Sequence, residues 1–551
     1  MNAKPLSLPA DVEPVARPEE SWFTAGRIEV LIWVFVGLGL IARLLRYGLS
    51  FPLWEDEAFL AYNLSHRGFA ELLRPLDYIQ VAPIGYLWTQ RAVIEVFGFS
   101  EYSLRATALV AGIASLFLMR RVAKLTLLPR EQLCAVAFFA VSYPMIRYSA
   151  EAKQYGLDLF LGLTLVWLFL EMRLRLPSSS RVRWVLGLFL VAAFGPFVSH
   201  PLVFLGGGVS IAWAWCLRSS WREGRFGNVL AWLVFNILLA ASFAAHYWLA
   251  RQALSASNDA LMQQFWGQNF PPLSEPLRFP LWLLKTLTGD FLAFPVGGGN
   301  AGSTLTFLLV AGGIVLWAKQ KRGDLLLLVL VPLGLHFLAA AVHKFPMGGH
   351  VKFSMYWAPL GALLMGTALA RVWEWLDRRP GRVPVWSLAG LMILALLACG
   401  SVVRDVLRPA KNPSDMQGRN FARWLWNDLA QESEVVCLHE DLHKDFTAEL
   451  LERLNWSASF YCNSRIYSPR LKRGMPPEWS RVSADRPLRV VSYRPDGFAH
   501  DEVAEAAWLR EMEGKYRLVT RDRYPVPRFK QNGRTLVCMD HVDMFVFVPK
   551  P

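Results

Sequence analysis

Charged residues are scarce in this chain, and they are scarcest within its long apolar runs. Only 19% of the 551 residues are Asp, Glu, Lys or Arg, whereas 54% are hydrophobic, and the mean hydropathy is +0.28. A soluble protein of this length would be more polar. The composition therefore excludes a soluble globular protein and predicts a polytopic α-helical membrane protein with a soluble part.

Cysteine is also rare, and its spacing excludes the common structural metal sites. The six cysteines form neither a CxxC pair nor a Cys/His cluster. Cys437, Cys462 and Cys538 lie in the polar tail, where one disulfide would leave one free thiol. Repeats and low-complexity tracts are absent. The first apolar run lacks a small-residue cleavage site, so we expect it to be retained as an anchor.

Acidic charge is outweighed by basic charge, which gives a formal net charge of +14. The basic residues occur in short clusters between apolar runs and form no basic face. This pattern is typical of topology signals and of contact with anionic membrane lipids, and it argues against a nucleic-acid partner.

The apolar runs predict about eleven membrane spans by the criterion of roughly 20 apolar residues. They cover residues 28–47, 104–119, 132–146, 156–172, 184–199, 201–217, 228–248, 303–318, 324–342, 353–373 and 384–402. Every second loop is basic, which places those loops in the cytoplasm. The loops 48–103, 147–155, 249–302 and 343–352 are then outside the cytoplasm. Arg43 and Arg46 are the local exception to this rule.

Three regions follow from this topology. We expect a cytoplasmic segment 1–27, a transmembrane domain 28–402 and an extracytoplasmic α/β domain 403–551, in a multi-pass protein of the cell inner (plasma) membrane. The tail combines a helical pattern at 418–429 with β-like runs at 435–438, 488–492, 518–520 and 544–548. Loop 48–103 contains an amphipathic segment, 82–96, that is predicted to lie in the membrane surface. Loop 249–302 is either a mobile lid or an interfacial loop.

Three consecutive acids follow the first span: Glu55, Asp56 and Glu57. Adjacent carboxylates near lipid are costly unless they bind a ligand or face a wet cavity. The alternative is that they are simply solvated at a helix end. Because further polar residues occur in the other outer loops, we favour a binding or catalytic site.

The outer loops collect the remaining candidate residues. A departing phosphate needs cations to stabilise it, and an attacking hydroxyl needs a carboxylate to take its proton. Arg147 and Lys153 have the alternative role of neutralising Glu151 or contacting lipid phosphates. Besides the catalytic candidates Asp56, Glu57 and Glu151, the substrate-binding candidates are Glu55, Gln80, Arg105, Arg147, Lys153, Tyr155, His343, Lys344, His350 and Lys352.

The order of these motifs resembles that of the integral membrane GT-C glycosyltransferases. The similar branch comprises protein O-mannosyltransferases, lipid A aminoarabinose transferases and lipopolysaccharide galacturonosyltransferases. The matching segments are Asp56-Glu57 and the stretches 82–87, 97–105 and 149–157. The likeness covers about the first 160 residues, and later spans only in topology.

The resemblance implies transfer of a sugar from a polyprenyl-phosphate donor to an envelope lipid, glycan or protein, with inversion, on the outer side of the membrane. Asp56 would be the base. Glu57 and Glu151 would orient the acceptor or hold a divalent cation, and the loop cations would meet the phosphate. The chain departs from the family at Gln80, in the stretch before Pro83 where His or Lys is usual, and at Lys153, where Arg is common.

Two alternative functions make different predictions from this one. A transporter or flippase for a lipid-linked glycan predicts ionisable residues at mid-bilayer in paired helices, whereas here they crowd at one face. A membrane-anchored scaffold with a binding domain outside would tolerate loss of Asp56.

Overall fold

A computed structural model describes most of the chain. The described residues are 22–176, 179–222, 226–252, 266–296, 301–377, 384–430, 434–439, 448–468, 486–494, 502–529 and 536–550. Most of the predicted segment 1–27, and parts of loop 249–302, lie outside them.

The described part of the chain is mainly helical. Its helices are α1 Ala25–Gly48, α2 Glu55–His66, α3 Ile84–Phe97, α4 Glu101–Thr126, α5 Pro129–Val141, α6 Tyr143–Tyr148, α7 Tyr155–Arg173, α8 Val182–Phe194, α9 Leu202–Arg222, α10 Phe226–Gln252, α11 Phe279–Thr288, α12 Ala301–Lys319, α13 Gly323–Ala341, α14 Ala358–Leu376, α15 Val385–Leu407, α16 Pro413–Trp424, α17 Ala448–Tyr467 and α18 Glu502–Lys515. Side-chain caps start some of them: the Thr24 hydroxyl accepts from Arg27 N, and the Ser100 hydroxyl accepts from Ser103 N.

Six of the described helices are long and apolar enough to cross a membrane, namely α1, α4, α7, α10, α13 and α15. The protein is therefore a multi-pass membrane protein. Each of the predicted apolar runs overlaps a helix, while the full count of eleven spans stays a prediction.

The arginines that break the charge rule in α1 are used inside the fold. The Arg43 guanidinium is buried and donates to the carbonyls of Gly39 and Ala140, at 2.9 and 3.1 Å. The guanidinium of Arg46 forms an ion pair with Asp405 at the end of α15, at 2.6 Å. Because both side chains have internal acceptors, neither serves as a topology signal.

Loop 48–103 is largely helical. Its acids begin helix α2, where the partial positive charge of a helix N-terminus favours carboxylates. Helix α3 covers the predicted amphipathic segment and leaves Val96 and Phe97 exposed. Loop 48–103 thus places the first turn of α2, with its three acids, close after the end of α1.

The C-terminal part contains a four-stranded sheet in the order β1-β2-β4-β3, whose strands are β1 Val435–His439, β2 Leu488–Arg494, β3 Tyr516–Phe529 and β4 Leu536–Pro549. β1 is parallel to β2, and the other pairs are antiparallel. Cys462 of α17 is buried and free, and it packs with Ala458 against Ala58 of α2. The side chains of Cys437 and Cys538 lie outside the described residues. The C-terminal part therefore rests directly on the helix that carries the acids.

Candidate active site

Glu57 is fully buried and held by a set of strong contacts. Arg105 of α4 donates to both of its carboxylate oxygens, at 2.9 and 2.6 Å. The backbone N–H of Ala152 donates to Glu57 Oε1 at 2.6 Å. A two-bond arginine–carboxylate pair of this kind fixes geometry as well as charge. Glu57 and Arg105 thus join loop 48–103, α4 and loop 147–155.

Asp56, one residue earlier on α2, is arranged differently. Its side chain is 27% exposed, whereas that of Glu57 is 1% exposed. Its carboxylate lies 3.7 Å from the Lys153 ammonium and 3.5 Å from the Lys352 ammonium. Successive helix residues point about 100° apart, so the Glu57 contacts turn Asp56 toward these two lysines. Asp56 is the carboxylate of this cluster that remains open.

The charges around Asp56 keep it ionised. Removal from bulk water by itself would raise the pKa of Asp56, but Lys153, Lys352 and Lys411 outweigh this effect and lower it to about 2. The carboxylate is therefore an anion throughout the physiological range.

Lys153 is buried and approaches from loop 147–155. Its ammonium donates to Gln80 Oε1 at 2.8 Å. Burial lowers the pKa of Lys153, and the charge of Asp56 opposes that shift. Gln80 therefore supplies a neutral hydrogen-bond acceptor for the Lys153 ammonium. This contact gives glutamine a role in the stretch before Pro83, where the family usually has His or Lys.

Aromatic rings surround the Lys352 ammonium. It lies 4.9 Å from the ring centroid of Trp266, 5.5 Å from that of Phe353 and 5.9 Å from that of Tyr155. Ring faces attract cations at such distances. The rings hold Lys352 beside Asp56 without neutralising it, so its charge remains available to an anion.

Two glycines shape the loop that carries Lys352. Gly348 and Gly349 have φ of 96° and 72°, and a Cβ on Gly349 would lie 2.4 Å from the Asn269 side chain. The same loop is tied to Asn269, whose carbonyl accepts from Met347 N at 3.0 Å. Only glycine fits both the backbone conformation and the space.

Gly349→Ala should therefore lower the free energy of unfolding by more than about 1 kcal/mol, because alanine is strained at positive φ and meets Asn269. Thermal unfolding of the purified protein checks this. Gly37→Ala in α1 is the control, since no atom lies within 4 Å of that added Cβ. Equal midpoints for the two variants would contradict the requirement for glycine.

Glu151 is buried and pairs with Arg147. Its second oxygen, Oε2, has no hydrogen-bond partner within the described part of the chain. Charges on Arg147 and Lys411 outweigh the effect of burial and lower the pKa of Glu151. Glu151 is thus a second anion beside the cluster, held mainly by a neighbour on its own loop.

His350 is a neutral acceptor at this site. Its Nδ1 accepts from Lys352 N at 3.2 Å and lies 3.1 Å from the Tyr148 hydroxyl. Burial and the nearby cations lower the pKa of His350 to about 3. Its role in this structure is to shape the start of the Lys352 segment.

The other predicted residues have different placements. His343 and Lys344 are exposed, and the His343 ring packs on Phe270. Glu55 is partly exposed at the start of α2. The structure therefore brings Lys352 from loop 343–352 to Asp56, and it does not bring His343 or Lys344 there.

Lys411 also belongs to the site, although it was not among the residues that the sequence predicted. Its ammonium lies over the Trp54 ring, and it interacts electrostatically with Asp56 and Glu151. Desolvation, with the charge of Arg147, lowers the pKa of Lys411. Its position just after the last apolar run, at the outer end, was the signal available in the sequence.

A cavity of about 260 Å³ borders this cluster. Arg147, Tyr148 and His350 form one part of its wall, and Arg404 and Asp290 add further charge. The volume is several times that of a water molecule. A polar chemical group therefore has room beside Arg147, the partner of Glu151.

The carboxylates do not fit a divalent cation. Asp56 faces two lysines, Glu57 is paired with Arg105, and Glu151 is paired with Arg147. No group of three or more His, Cys, Asp or Glu in the described ranges could hold a metal ion. Positive charge at this site comes from lysine and arginine, and no step below depends on a metal.

The fold is similar to that of ArnT from Cupriavidus metallidurans. The apo structure of that protein has a TM-score of 0.51 at 13% identity, and the match covers 95% of this chain and 98% of that chain. The structure of ArnT bound to undecaprenyl phosphate gives 0.50 at 12% identity with the same coverage. No family model matches the chain, and no curated protein does. The chain thus shares the fold of ArnT over nearly its whole length.

Proposed function

We propose that this protein is an inverting glycosyltransferase that moves a sugar from a polyprenyl-phosphate donor to an acceptor hydroxyl at the outer face of the membrane. The observation that carries this proposal is the placement of Asp56. It is an open carboxylate 3.5–3.7 Å from two lysine ammoniums that come from separate outer loops. A base next to phosphate-binding cations is what such a transfer requires.

The donor class is supported by charge and by fold. Lys153, Lys352 and Lys411 gather around the carboxylates Asp56 and Glu151, with Arg147 beside them. Because Glu57 is neutralised by Arg105, the cluster has an excess of positive charge that suits a phosphate. ArnT, whose fold is similar, has been solved with undecaprenyl phosphate bound.

In the proposed reaction, the acceptor hydroxyl gives its proton to Asp56 as its oxygen attacks the anomeric carbon. The bond between that carbon and the phosphate oxygen breaks, and its electron pair leaves with the polyprenyl phosphate. Attack opposite the leaving group inverts the anomeric configuration. The lysines stabilise the charge that grows on the departing phosphate.

Donor binding would also make Asp56 a better base. In the donor-free protein its charge is shared with Lys153 and Lys352, which keep its pKa low. A phosphate competes for the same ammoniums and leaves Asp56 with less positive charge around it. Its pKa then rises, and proton transfer from a hydroxyl becomes more favourable.

The proposed acceptor is an envelope lipid, glycan or protein. The C-terminal part packs on α2, which carries Asp56, and is thus suited to select or cover the acceptor. This arrangement agrees with an extracytoplasmic C-terminal domain in an inner-membrane protein, which is the topology we propose.

The direct test is transfer of labelled sugar in membranes that contain this protein. A panel of undecaprenyl-phosphate pentoses and hexoses would be supplied, with membranes lacking the protein as the control. We expect protein-dependent label in the envelope fraction with at least one donor. The proposal would be contradicted if no donor of the panel gave protein-dependent transfer of label.

Lys352→Met should weaken binding of undecaprenyl phosphate by about tenfold or more, because a charge-assisted contact is lost. It should also raise the pKa of Asp56 from about 2 toward the ordinary value of 3.8. A base must be ionised, so the acidic limb of kcat/KM moves to higher pH. Lys285→Met is the control, since that lysine is exposed on α11. Acidic limbs that coincide in the two variants would argue against contact between Lys352 and Asp56.

A further inference from the structure

A second group of polar side chains, most of them buried, has no part in the steps above. It consists of Asp158 on α7, Ser199 and His200 just before α9, and His246 on α10; we call it the polar cluster. Asp158 is 3% exposed, Ser199 is fully buried and His246 is 4% exposed. His200 is partly exposed, while its Nε2 atom is buried.

The polar cluster has unused hydrogen-bonding capacity. Asp158 Oδ1, His200 Nε2 and His246 Nδ1 have no hydrogen-bond partner among the described residues. Buried polar atoms are costly when they are left unpaired, so such a set indicates that something else pairs with them. His336 shows the contrast, since its two ring nitrogens lie 3.0 and 2.9 Å from the Tyr356 hydroxyl and the Pro346 carbonyl.

The two histidines define the chemistry of what they can bind. His246 Nε2 lies 2.8 Å from His200 Nδ1, so one neutral ring donates to the other. If His246 donates, its Nδ1 is an acceptor and His200 Nε2 carries a proton. If His200 donates, the roles at the two ends are reversed. In either tautomer the pair presents one donor and one acceptor, which matches hydroxyl groups.

The polar cluster adjoins the proposed reaction centre. Tyr155 interacts electrostatically with both Asp56 and Asp158, and its ring lies 5.9 Å from the Lys352 ammonium. Helix α3 closes the other side: a Cβ on Gly85 would lie 2.8 Å from the carbonyl of Phe197, just before the cluster. Asp158 lies three residues after Tyr155 on α7, about one helical turn away, and Tyr155 lies beside the lysine that contacts Asp56.

We propose that the polar cluster is the subsite that binds the hydroxyl groups of the donor's sugar. The proposal rests on the function given above. With the phosphate on the lysines, the attached sugar extends past Tyr155 to Asp158 and the histidine pair. Carboxylate, hydroxyl and imidazole groups together provide hydrogen-bond donors and acceptors for the hydroxyl groups of a sugar. A sugar in which one hydroxyl is missing or inverted would leave a buried group of the cluster unpaired, so it would bind more weakly.

The experiment compares the Kd of undecaprenyl phosphate with the Kd of undecaprenyl-phosphate pentoses and hexoses, using ligand-induced thermal stabilisation of the full chain. The variants are Asp158→Asn and His246→Phe. Ser210→Ala is the control. Ser210 lies on α9, and its hydroxyl already donates to Asn236 Oδ1 on α10 at 2.6 Å.

In both variants we expect the ratio of the Kd for the best sugar-linked lipid to the Kd for the bare lipid to rise about tenfold or more, while the Kd for the bare lipid is unchanged. The control should keep the wild-type ratio. Unchanged binding of the bare lipid also shows that a variant is folded, and Asp158→Asn preserves the side-chain shape. A wild-type ratio in Asp158→Asn would overturn the sugar subsite and leave the glycosyltransferase proposal standing. If the wild-type protein binds no undecaprenyl phosphate, the proposed function itself fails.

Discussion

Asp56→Asn should lower the rate of sugar transfer by roughly a thousandfold, because the amide cannot accept the proton of the acceptor hydroxyl. The substitution keeps the size of the side chain. It removes the negative charge that lies between Lys153 and Lys352, so both ammoniums stay free for phosphate. Binding of undecaprenyl phosphate should therefore be as strong as in the wild type or stronger.

This combination of results separates a base from a structural residue. Loss of both turnover and lipid binding would point to a damaged site, whereas loss of turnover alone supports proton transfer. Glu95→Gln is the matched control, since Glu95 lies in the same outer loop and is 47% exposed in a pair with Arg91. Equal turnover in Asp56→Asn and the wild type would remove Asp56 as the base.

Arg105→Met should destabilise the protein by about 3–5 kcal/mol, because it leaves the buried Glu57 carboxylate without its cation. The side chains of Glu57 and Arg105 are 1% and 3% exposed. Arg105 also donates to the carbonyls of Phe51 and Pro52, at 2.5 and 3.3 Å, so the segment before α2 loses its anchor. Thermal unfolding in detergent measures the effect, and activity should fall with it.

Arg371→Met provides the matched control for this loss. Arg371 forms an ion pair with Glu374 in which the two side chains are 69% and 38% exposed, and such surface pairs contribute less than about 1 kcal/mol. Adding Glu57→Gln to Arg105→Met should recover part of the stability, because the uncompensated charge is removed. A thermal unfolding midpoint for Arg105→Met equal to that of Arg371→Met would contradict a stabilising role of the ion pair between Arg105 and Glu57.

The sequence was sufficient for the class of protein and for several of the acids and cations that the fold brings together. Apolar runs predict helices because a chain in lipid must satisfy its backbone hydrogen bonds internally. Glu55, Asp56 and Glu57 stood out because carboxylates are expensive beside lipid. The order of motifs in the first 160 residues predicted the GT-C fold, and the likeness to ArnT supports it over nearly the whole chain.

The individual roles could not be read from the sequence. Lys344 and Lys352 are the same residue type on one loop, yet of these two only Lys352 reaches Asp56. The turn at Gly348 and Gly349 directs the chain after it toward Asp56. Lys411 lies hundreds of residues from Asp56 along the chain, and its contribution depends on the packing of α15 and of the segment that follows it. The spacing of residues along a sequence does not reveal which residues far apart in the chain lie close together in the fold.

The sequence by itself determined that this chain spans a membrane, since this property follows from residue type and local pattern, and it predicted that the acids and cations lie on one side. Only the tertiary structure decided which acid is open. Asp56 and Glu57 are neighbours with nearly the same chemistry, but Arg105 and the Ala152 N–H take both oxygens of Glu57. The helix then turns Asp56 toward the lysines, because adjacent side chains on a helix point in different directions and distant chain segments choose between them.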